Sequence, residues 1–302
     1  MSKLTQSAGQ PKANWQTLPD TFAAFILTHG RPDNVRTYDA IKQAGYTGRI
    51  ILVVDNEDKK RNAYEEKFGD EVVIFDKKKI SETYPNCDNF TDRRAVVYAR
   101  NACFEIATEL GITHFIQLDD DYTTFSYRAN ANGEFISQKK LLSLDGLFAA
   151  LVEFIDSTPT SSVAIAQGGD YIGGHDNSYF KNGWRLLRKI MKSWLCRTDR
   201  PFKFCGRMNE DVSAAVLNGS RGHLYFTLTQ AQLTQVPTQA AAGGMTEVYM
   251  DNGTYLKSFY TVIQHPSSTT VSELWTTNRR FHHNTMWNNA VPRLISEQWR
   301  KP

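Results

Sequence analysis

Three consecutive carboxylates, Asp119-Asp120-Asp121, follow the apolar run Thr113-His114-Phe115-Ile116-Gln117-Leu118. Carboxylates this close repel one another. A hard divalent cation with oxygen ligands neutralises such a cluster and can hold a phosphate as well. The run before them reads as a short buried strand, and the carboxyl end of a strand in an α/β sheet is where ligands bind. The triplet is therefore either a metal-dependent site for a nucleotide diphosphate or a solvated acidic turn. A second acidic site lies in Gly206-Arg207-Met208-Asn209-Glu210-Asp211-Val212. Glu210 and Asp211 precede Val212, Ala215 and Val216, which suits a helix start, where anions are stabilised. Alone, the pair reads as a helix cap. Taken with the upstream aspartates it becomes a candidate general base, because activating a hydroxyl nucleophile requires a carboxylate separate from those a metal neutralises.

Other residues have chemistry available to them. Arg100 and Asn101 lie on a helix just before the acidic strand. They belong to a solvated face, or they recognise a diphosphate or sugar, for which arginine's planar fork suits phosphate oxygens. His282-His283 follow Arg279-Arg280-Phe281. Adjacent histidines point different ways in regular structure, so at most one serves a site; a carboxylate-bound divalent ion, manganese above all, accepts such a ligand. The stretch 181–207 holds Lys181, Arg185, Arg188, Lys189, Lys192, Arg197, Arg200, Lys203 and Arg207 against Asp199, with Trp184, Trp194, Phe202 and Phe204 interleaved. Basic groups neutralise phosphates and aromatic faces stack on exposed bases; the alternative is a solvated face over buried aromatics. Gly168-Gly169-Asp170 opens a glycine-rich loop. Its spacing is not a dinucleotide fingerprint, and it either approaches a ligand closely or is a plain loop.

The elements that must position these residues follow from apolar patterning. Phe22 to Leu27 reads as a first buried strand ending in Thr28-His29-Gly30-Arg31-Pro32. Asp33 or Asn34 can cap the next helix, which Gly45 stops. Arg49 to Val54 is a second strand ending in Asp55-Asn56, residues 58–68 a charged helix, Glu71 to Phe75 a third strand, and Asp76 to Phe90 a long loop. Thr91 can cap a helix with Asp92 in its first turn, whose apolar face runs from Ala95 to Leu110. Leu141 to Ile155 reads as a helix and Ser162 to Gln167 as a strand. This alternation predicts an α/β fold with a largely parallel sheet covered on both faces. Three strand ends, at Thr28 to Arg31, Asp55-Asn56 and Asp119 to Asp121, then converge as a nucleotide pocket requires.

The bulk numbers bound the rest. The chain has 302 residues, 41% of them hydrophobic and 22% charged, which excludes global disorder. Residues 1–20 are expected to be a loose lead-in. Residues 21–302 are expected to be one domain, with a nucleotide-sugar-binding half to about 125 and an acceptor-binding half beyond it. No apolar run is long enough to cross a bilayer, and the polar N-terminus lacks a signal core. Four cysteines show no Cys-x-x-Cys spacing, so a zinc site is not expected and a cytoplasmic protein is. A net charge of +3 is too small to diagnose a partner.

The assembled pattern resembles nucleotide-sugar glycosyltransferases with the Rossmann-like GT-A fold. It resembles more closely the phage enzymes called TET/JBP-associated glycosyltransferases, related to the glucosyltransferase of base J synthesis. The segments that carry this are Leu27-Thr28-His29-Gly30-Arg31-Pro32, Val54-Asp55-Asn56-Glu57-Asp58, Leu118-Asp119-Asp120-Asp121-Tyr122 and Gly206-Arg207-Met208-Asn209-Glu210-Asp211. Gly253-Thr254-Tyr255-Leu256-Lys257-Ser258-Phe259-Tyr260, Arg280-Phe281-His282-His283 and Pro292-Arg293-Leu294-Ile295 add to it. The acidic motifs are widespread in glycosyltransferases; their combination with the rest is more specific. The resemblance does not align through Ala129 to Ser137 or Gly219 to Gln235.

The resemblance implies transfer of a sugar, glucose from UDP-glucose foremost, to a hydroxymethylated pyrimidine in DNA, with 5-hydroxymethylcytosine as the expected acceptor. It implies that Asp119 and Asp121 match the Asp-x-Asp positions holding ribose and metal-diphosphate, with Mn2+ or Mg2+ as the metal and Asp120 beside them. It implies Asp211 as the base of an inverting enzyme, with Glu210 adjacent, and His283 or His282 as a C-terminal metal ligand. The loop Thr28 to Arg31 and Asp55-Asn56 match nucleotide-binding strand ends. The basic stretch, Trp184, Trp194 and Gly168 to Asp170 would then face DNA. Three rivals stay open: the same fold acting on a glycan, protein or lipid; a sugar nucleotidyltransferase, which lacks here a Gly-rich basic activation loop; and a noncatalytic nucleic-acid-binding protein.

Overall fold

A computed structural model describes residues 17–84, 91–177, 180, 183–236, 246–275 and 279–291, with residues 246–254 as backbone alone. The chain begins with β1 (Phe22–Leu27), α1 (Arg36–Gln43), β2 (Arg49–Asp55), α2 (Arg61–Phe68), β3 (Val72–Phe75), α3 (Lys77–Ser81), α4 (Val97–Glu109) and β4 (His114–Asp119). It continues with β5 (Tyr122–Ala129), β6 (Phe135–Lys140), α5 (Leu144–Ser157), β7 (Thr160–Gln167), β8 (Trp184–Arg185) and β9 (Ser193–Arg197). Then come α6 (Glu210–Gly219), β10 (Leu224–Gln235), α7 (Thr246–Gln264), β11 (Thr269–Trp275), β12 (Arg279–Thr285) and α8 (Trp287–Ala290).

One ten-stranded sheet runs in the order β3-β2-β1-β4-β9-β7-β10-β5-β6, with β8 paired to β10. β1 to β4 are mutually parallel, as their uninterrupted apolar runs require of strands covered on both faces. β9 pairs antiparallel with both β4 and β7, and β10 lies parallel to β7. β9, β5 and β8 therefore run against all the other strands of this mixed sheet. A separate hairpin, β11 with β12, completes the described strands.

Two apolar layers cover the sheet. Ile41 of α1 and Leu144, Phe148 and Leu151 of α5 pack on Ile26 and Leu52 from one face. Ala102 and Ile106 of α4 and Ala214 of α6 pack on Phe25, Phe115 and Cys196 from the other. Each large apolar side chain so buried contributes about 1.5–3 kcal/mol, which holds the strand ends in fixed register. Leu27 lies opposite Val53 on one side and Asp119 on the other, so the loops after β1, β2 and β4 open at one edge of the sheet.

Local details depart from the sequence expectations. Pro32–Asn34 form a 3-10 turn, and α1 starts after Val35 with no side-chain cap, so neither Asp33 nor Asn34 caps it. The expected loop after Asp76 contains α3, because the Asp76 carboxylate accepts from the Lys79 amide at 3.0 Å and caps a helical turn. α4 begins at Val97, not near Thr91. Asp92 is instead held by Arg94, which donates to it from backbone and side chain. The segments that resisted alignment become the turn into β6 with the start of that strand, and the whole of β10. The Pro292 to Ile295 motif and the lead-in 1–16 lie outside the described residues.

Candidate active site

The three adjacent aspartates meet three different environments. Asp119 ends β4 and its Oδ1 lies 2.8 Å from Arg100 Nη2. Asp120 turns inward, with 1% of its residue surface exposed. Its Oδ2 accepts from Thr28 Oγ1 at 2.7 Å and from Arg31 Nε at 2.8 Å, tying the β1 loop to the end of β4. Burial raises its carboxyl, against the opposing pull of Arg31. Thr37, at the start of α1, donates to the Asp119 carbonyl and accepts from the Tyr122 amide, which fixes the turn from beneath. Asp121 keeps a buried Oδ1 without a hydrogen-bond partner. Burial first, and Asp119 second, raise its carboxyl.

The loops after β1 and β2 form the adjoining wall. His29 Nδ1 lies 2.7 Å from Asp55 Oδ2, and Lys77 Nζ lies 3.3 Å from Asp55 Oδ1. The Gly30 amide donates to Asp58 at 2.6 Å, and the Asn56 side chain accepts from the Lys77 amide at 3.1 Å. Tyr64 Oη accepts from the Arg31 amide and meets Thr28 Oγ1. Asp58, Tyr64, Thr37 and Lys77 were not singled out by type or spacing. Asp58 alone carried a signal, as part of the acidic run after β2.

Arg100 joins the two acidic sites. It is 1% exposed, and its Nε lies 3.2 Å from Glu210 Oε1 while Nη2 holds Asp119. Its Nη1 has no hydrogen-bond partner, so one charge-assisted donor remains for a further group. Asn101 does something else: its amide donates to the Phe204 carbonyl and accepts from the Phe204 amide, clamping the segment that leads to Glu210. Gly206, in that segment, adopts φ +78°, and a Cβ there would lie 2.8 Å from the Tyr260 ring, so only glycine fits.

Glu210 and Asp211 open α6 as expected, and their environments push them apart. Burial raises Glu210, although Arg100 opposes it. Burial also acts on Asp211, but the Lys189 ammonium, 3.1 Å from its Oδ2, overrides it and holds the carboxyl below the usual range. Neighbouring carboxyls driven in opposite directions are a common signature of an acid and base assignment. The preceding residue, Asn209, has a left-handed backbone at φ +52°, uncommon for a residue with a side chain. Its amide donates to the Lys257 carbonyl and to Thr261 of α7.

His283 lies on β12, 7% exposed, with Nδ1 3.4 Å from the Asn209 amide. Burial, with Lys189 and His282 beyond it, lowers the imidazole to about 3. A neutral imidazole is the form that binds metal. Among the described residues, however, no three His, Cys, Asp or Glu side chains are grouped to hold a metal ion. Mg2+ and Mn2+ are often held by one or two carboxylates completed by phosphate oxygens and water. Asp121 with its unpartnered oxygen, next to Asp119, fits that kind of ion.

The basic and aromatic stretch is not a stacking surface. Trp194 is 0% exposed on β9, packed edge-on against Phe204 at 4.7 Å, and Phe202 is buried beside it. Trp184 stacks on Phe154 at 3.9 Å. Arg188 pairs with Asp170 at 2.6 Å, and Asp170 also accepts from the Gln167 amide, so Gly168 and Gly169 sit in a tight exposed turn. Arg197 pairs with Asp156 and Asp199, Arg200 donates to the carbonyls of Ile155, Thr158 and Thr160, and Arg207 lies 3.6 Å from Asp92. Lys192 reaches Gln235, while Lys203 is exposed, 3.4 Å from Thr83. Arg185 lies on the short β8, and Lys181 lies outside the described residues.

A profile of the TET-Associated Glycosyltransferase family matches residues 22–244. The mixed sheet, its 3-2-1-4 parallel half and the carboxylates at its strand ends are the α/β architecture the sequence predicts, and the family match makes the chain a glycosyltransferase. The chain belongs to the TET-associated glycosyltransferase family. Among solved structures it is similar to the mannosyltransferase PcManGT from Pyrobaculum calidifontis in complex with GDP-Man and Mn2+, at 12% identity over 85% of this chain and 77% of that one (TM-score 0.46). It is also similar to glucosyl-3-phosphoglycerate synthase from Mycobacterium tuberculosis in complex with Mg2+ and UDP, at 10% identity over 87% of each chain (TM-score 0.45). A third is S. aureus TarS 1–349 in complex with UDP-GlcNAc, at 11% identity over 80% of this chain and 66% of that one (TM-score 0.42). No curated protein sequence matches the chain. No described helix is long and apolar enough to cross a membrane.

Proposed function

We propose that the protein transfers a sugar from a nucleotide donor, UDP-glucose foremost, to the hydroxymethyl group of 5-hydroxymethylcytosine in DNA, in a metal-dependent reaction that inverts the anomeric centre. The observation that carries the transfer chemistry is Arg100, which ties Asp119 at one strand end to Glu210 beside Asp211. The acceptor rests on membership of the TET-associated family.

In this reading the loops Thr28 to Arg31 and Asp55-Asn56 seat the nucleoside, and Asp119 and Asp121 would hold a divalent cation, with phosphate oxygens and water in place of the His283 or His282 that the resemblance implied. When bound, that cation neutralises charge on the diphosphate. The free Nη1 of Arg100 is placed to donate to an anionic oxygen as charge develops on the departing diphosphate. Asp211 is anionic across the physiological range and takes the proton of the hydroxymethyl oxygen as that oxygen bonds to the anomeric carbon. The bond from the anomeric carbon to the diphosphate breaks in the same step. Lys189 must turn from Asp211 for the carboxylate to gain basicity. A base inside a duplex must be flipped out or already unpaired to reach it.

Burial of Trp194 and Phe202 favours a second reading, the same transfer to a glycan, protein or lipid, since these rings offer no stacking platform. The deciding experiment is intact-mass analysis of short duplexes carrying 5-hydroxymethylcytosine, hydroxymethyluracil or cytosine, after incubation with manganese and a panel of nucleotide sugars. A hexose gain confined to the hydroxymethylcytosine duplex is the expected result. Donor hydrolysis with no gain on any duplex would retain the transferase and remove the DNA acceptor.

A further inference from the structure

The motif segments that contain Tyr255 and Phe281 meet where α7 packs on the β11–β12 hairpin, outside the ten-stranded sheet. Strand pairing sets Trp275 opposite Arg279, Glu273 opposite Phe281 and Val271 opposite His283. Side chains alternate along a strand, so these residues share one face of the hairpin. Tyr255 and Phe259, one turn apart on α7, pack on Phe281 with ring centroids 5.8 and 6.2 Å away, both edge-on. The Ser258 hydroxyl donates to the Phe281 carbonyl at 2.8 Å and fixes the helix to the strand.

The rings are held in place and left open. Trp275 is 71% exposed, Tyr255 61% and Phe281 45%. Exposed rings gathered on one face mark an interaction site. The Arg279 guanidinium lies 4.8 Å from the Trp275 ring centroid, and its Nε donates to Glu273 at 3.0 Å, which steadies the cation over the ring. Arg280 is exposed on the opposite face of the same strand. At its inner end the stripe reaches the acidic pair. His283 lies two residues beyond Phe281, with Nδ1 3.4 Å from the side-chain amide of Asn209, the residue before Glu210 and Asp211. From His283 to Arg279 the strand spans about 13 Å. Trp194 and Phe202 fill the core, whereas these rings face solvent. All of the stripe lies beyond residues 22–244, the span of the family match.

We infer that Tyr255, Phe281 and Trp275 form a stacking platform for unpaired nucleobases of the acceptor strand, with Arg279 meeting its phosphodiesters. The inference rests on the DNA-acceptor reading and names the surface that carries the strand to Asp211. Aromatic faces stack on any unpaired base, and cations beside them follow the backbone. A base drawn out of a duplex loses its stacking, and rings next to the acidic pair replace part of it. A neutral glycan would use the rings without the arginines.

The test uses the full chain with Tyr255→Ala and Trp275→Ala, exposed positions where substitution costs little stability, as thermal melting checks. A short single strand and a short duplex, each carrying one hydroxymethylcytosine, are titrated by fluorescence anisotropy across a salt series. UDP is titrated calorimetrically beside them. Single-strand affinity should fall about tenfold per ring removed, with UDP affinity unchanged. Tyr255→Phe and Trp275→Phe should restore it. Arg279→Gln should lower the slope of log affinity against log salt by about 0.7, the release of one single-strand phosphate contact. Where an alanine variant does not fold, the leucine variant keeps apolar bulk without an aromatic face and must lose the same affinity. Unchanged single-strand affinity in folded alanine or leucine variants, with the native chain still binding and glycosylating the duplex, overturns the platform and keeps the DNA acceptor. A native chain that binds neither DNA overturns the acceptor reading and the platform with it. Ring-dependent binding of a maltooligosaccharide with no binding of DNA assigns the rings to a glycan and overturns the platform. So does a dimer in sedimentation that Trp275→Ala dissolves with DNA affinity unchanged, which assigns them to a second copy of the chain.

Discussion

Asp119, Asp120 and Asp121 are neighbours in the chain and share almost nothing in space. One pairs with a buried arginine, one locks two loops together, and one is left with an unpartnered buried oxygen. Arg188, Arg197 and Arg200 are spread along thirteen positions of sequence and share one fate, each held by a partner across an element boundary. The difference follows from where each run meets the sheet. The triplet lies at the ends of parallel strands, where loops from several elements meet and each carboxylate finds a different neighbour. The basic stretch passes through β9, in the middle of the sheet, so its apolar residues fill the core and its charges fasten the edges.

The largest predicted effect tests the acidic side. Asp211→Ala should lower transfer by about 10²–10⁴-fold, the usual yield of a positioned general base, with donor affinity unchanged. Single-turnover kinetics beside calorimetric donor binding separate the two. Loss of donor binding instead would move Asp211 from the acceptor to the donor.

Arg100→Met comes next. Removing one partner of a buried ion pair leaves Asp119 and Glu210 uncompensated, a loss of about 3–5 kcal/mol. Chemical denaturation measures it. Trp194→Ala should cost a comparable ~3–5 kcal/mol through the cavity it leaves, with no change in duplex affinity for the molecules that remain folded. A folded Trp194→Ala chain that binds the duplex more weakly would return the basic stretch to DNA and undo the contrast between the two regions.

How much of this was readable depends on the physics of each part. β1 to β4 announced themselves because parallel strands buried on both faces are uninterrupted apolar runs bounded by glycines and polar residues. Their ends carried Thr28, Asp55 and Asp119, so the convergence of strand ends was readable as well. β9 was not: Ser-Trp-Leu-Cys-Arg is five residues inside a run of lysines and arginines, and its charge outweighed its pattern. β10 alternates Thr and Gln with apolar residues, and its neighbours in space are far from it in sequence. The Lys189–Asp211 pair follows from the placement of β9, so it could not be foreseen without that strand. Caps failed for a smaller reason. The expected caps Asp33 or Asn34 and Thr91 lie upstream of the observed starts, where Val35 and Val96 stand, and tertiary packing carries α1 and α4 without a side-chain cap.

The smallest effect asks whether the donor wall is itself electrostatically set. The hydrogen bond that His29 donates to the Asp55 carboxylate raises the imidazole above its ordinary 6.5, with burial opposing. A group raised on folding stabilises the fold fully below its unfolded value and loses that contribution as pH rises through the folded value. The thermal stability of the native chain should therefore fall, relative to His29→Asn, as pH climbs from 6.5 through the raised value, and the two curves should run parallel at higher pH. His29 is 46% exposed on its side chain, so solvent screening keeps the difference small. Curves parallel over the whole range would mean that the imidazole and Asp55 are not paired in solution. Asp55 would then keep Lys77 and the Glu57 amide on Oδ1 while its Oδ2 stayed available to a ligand.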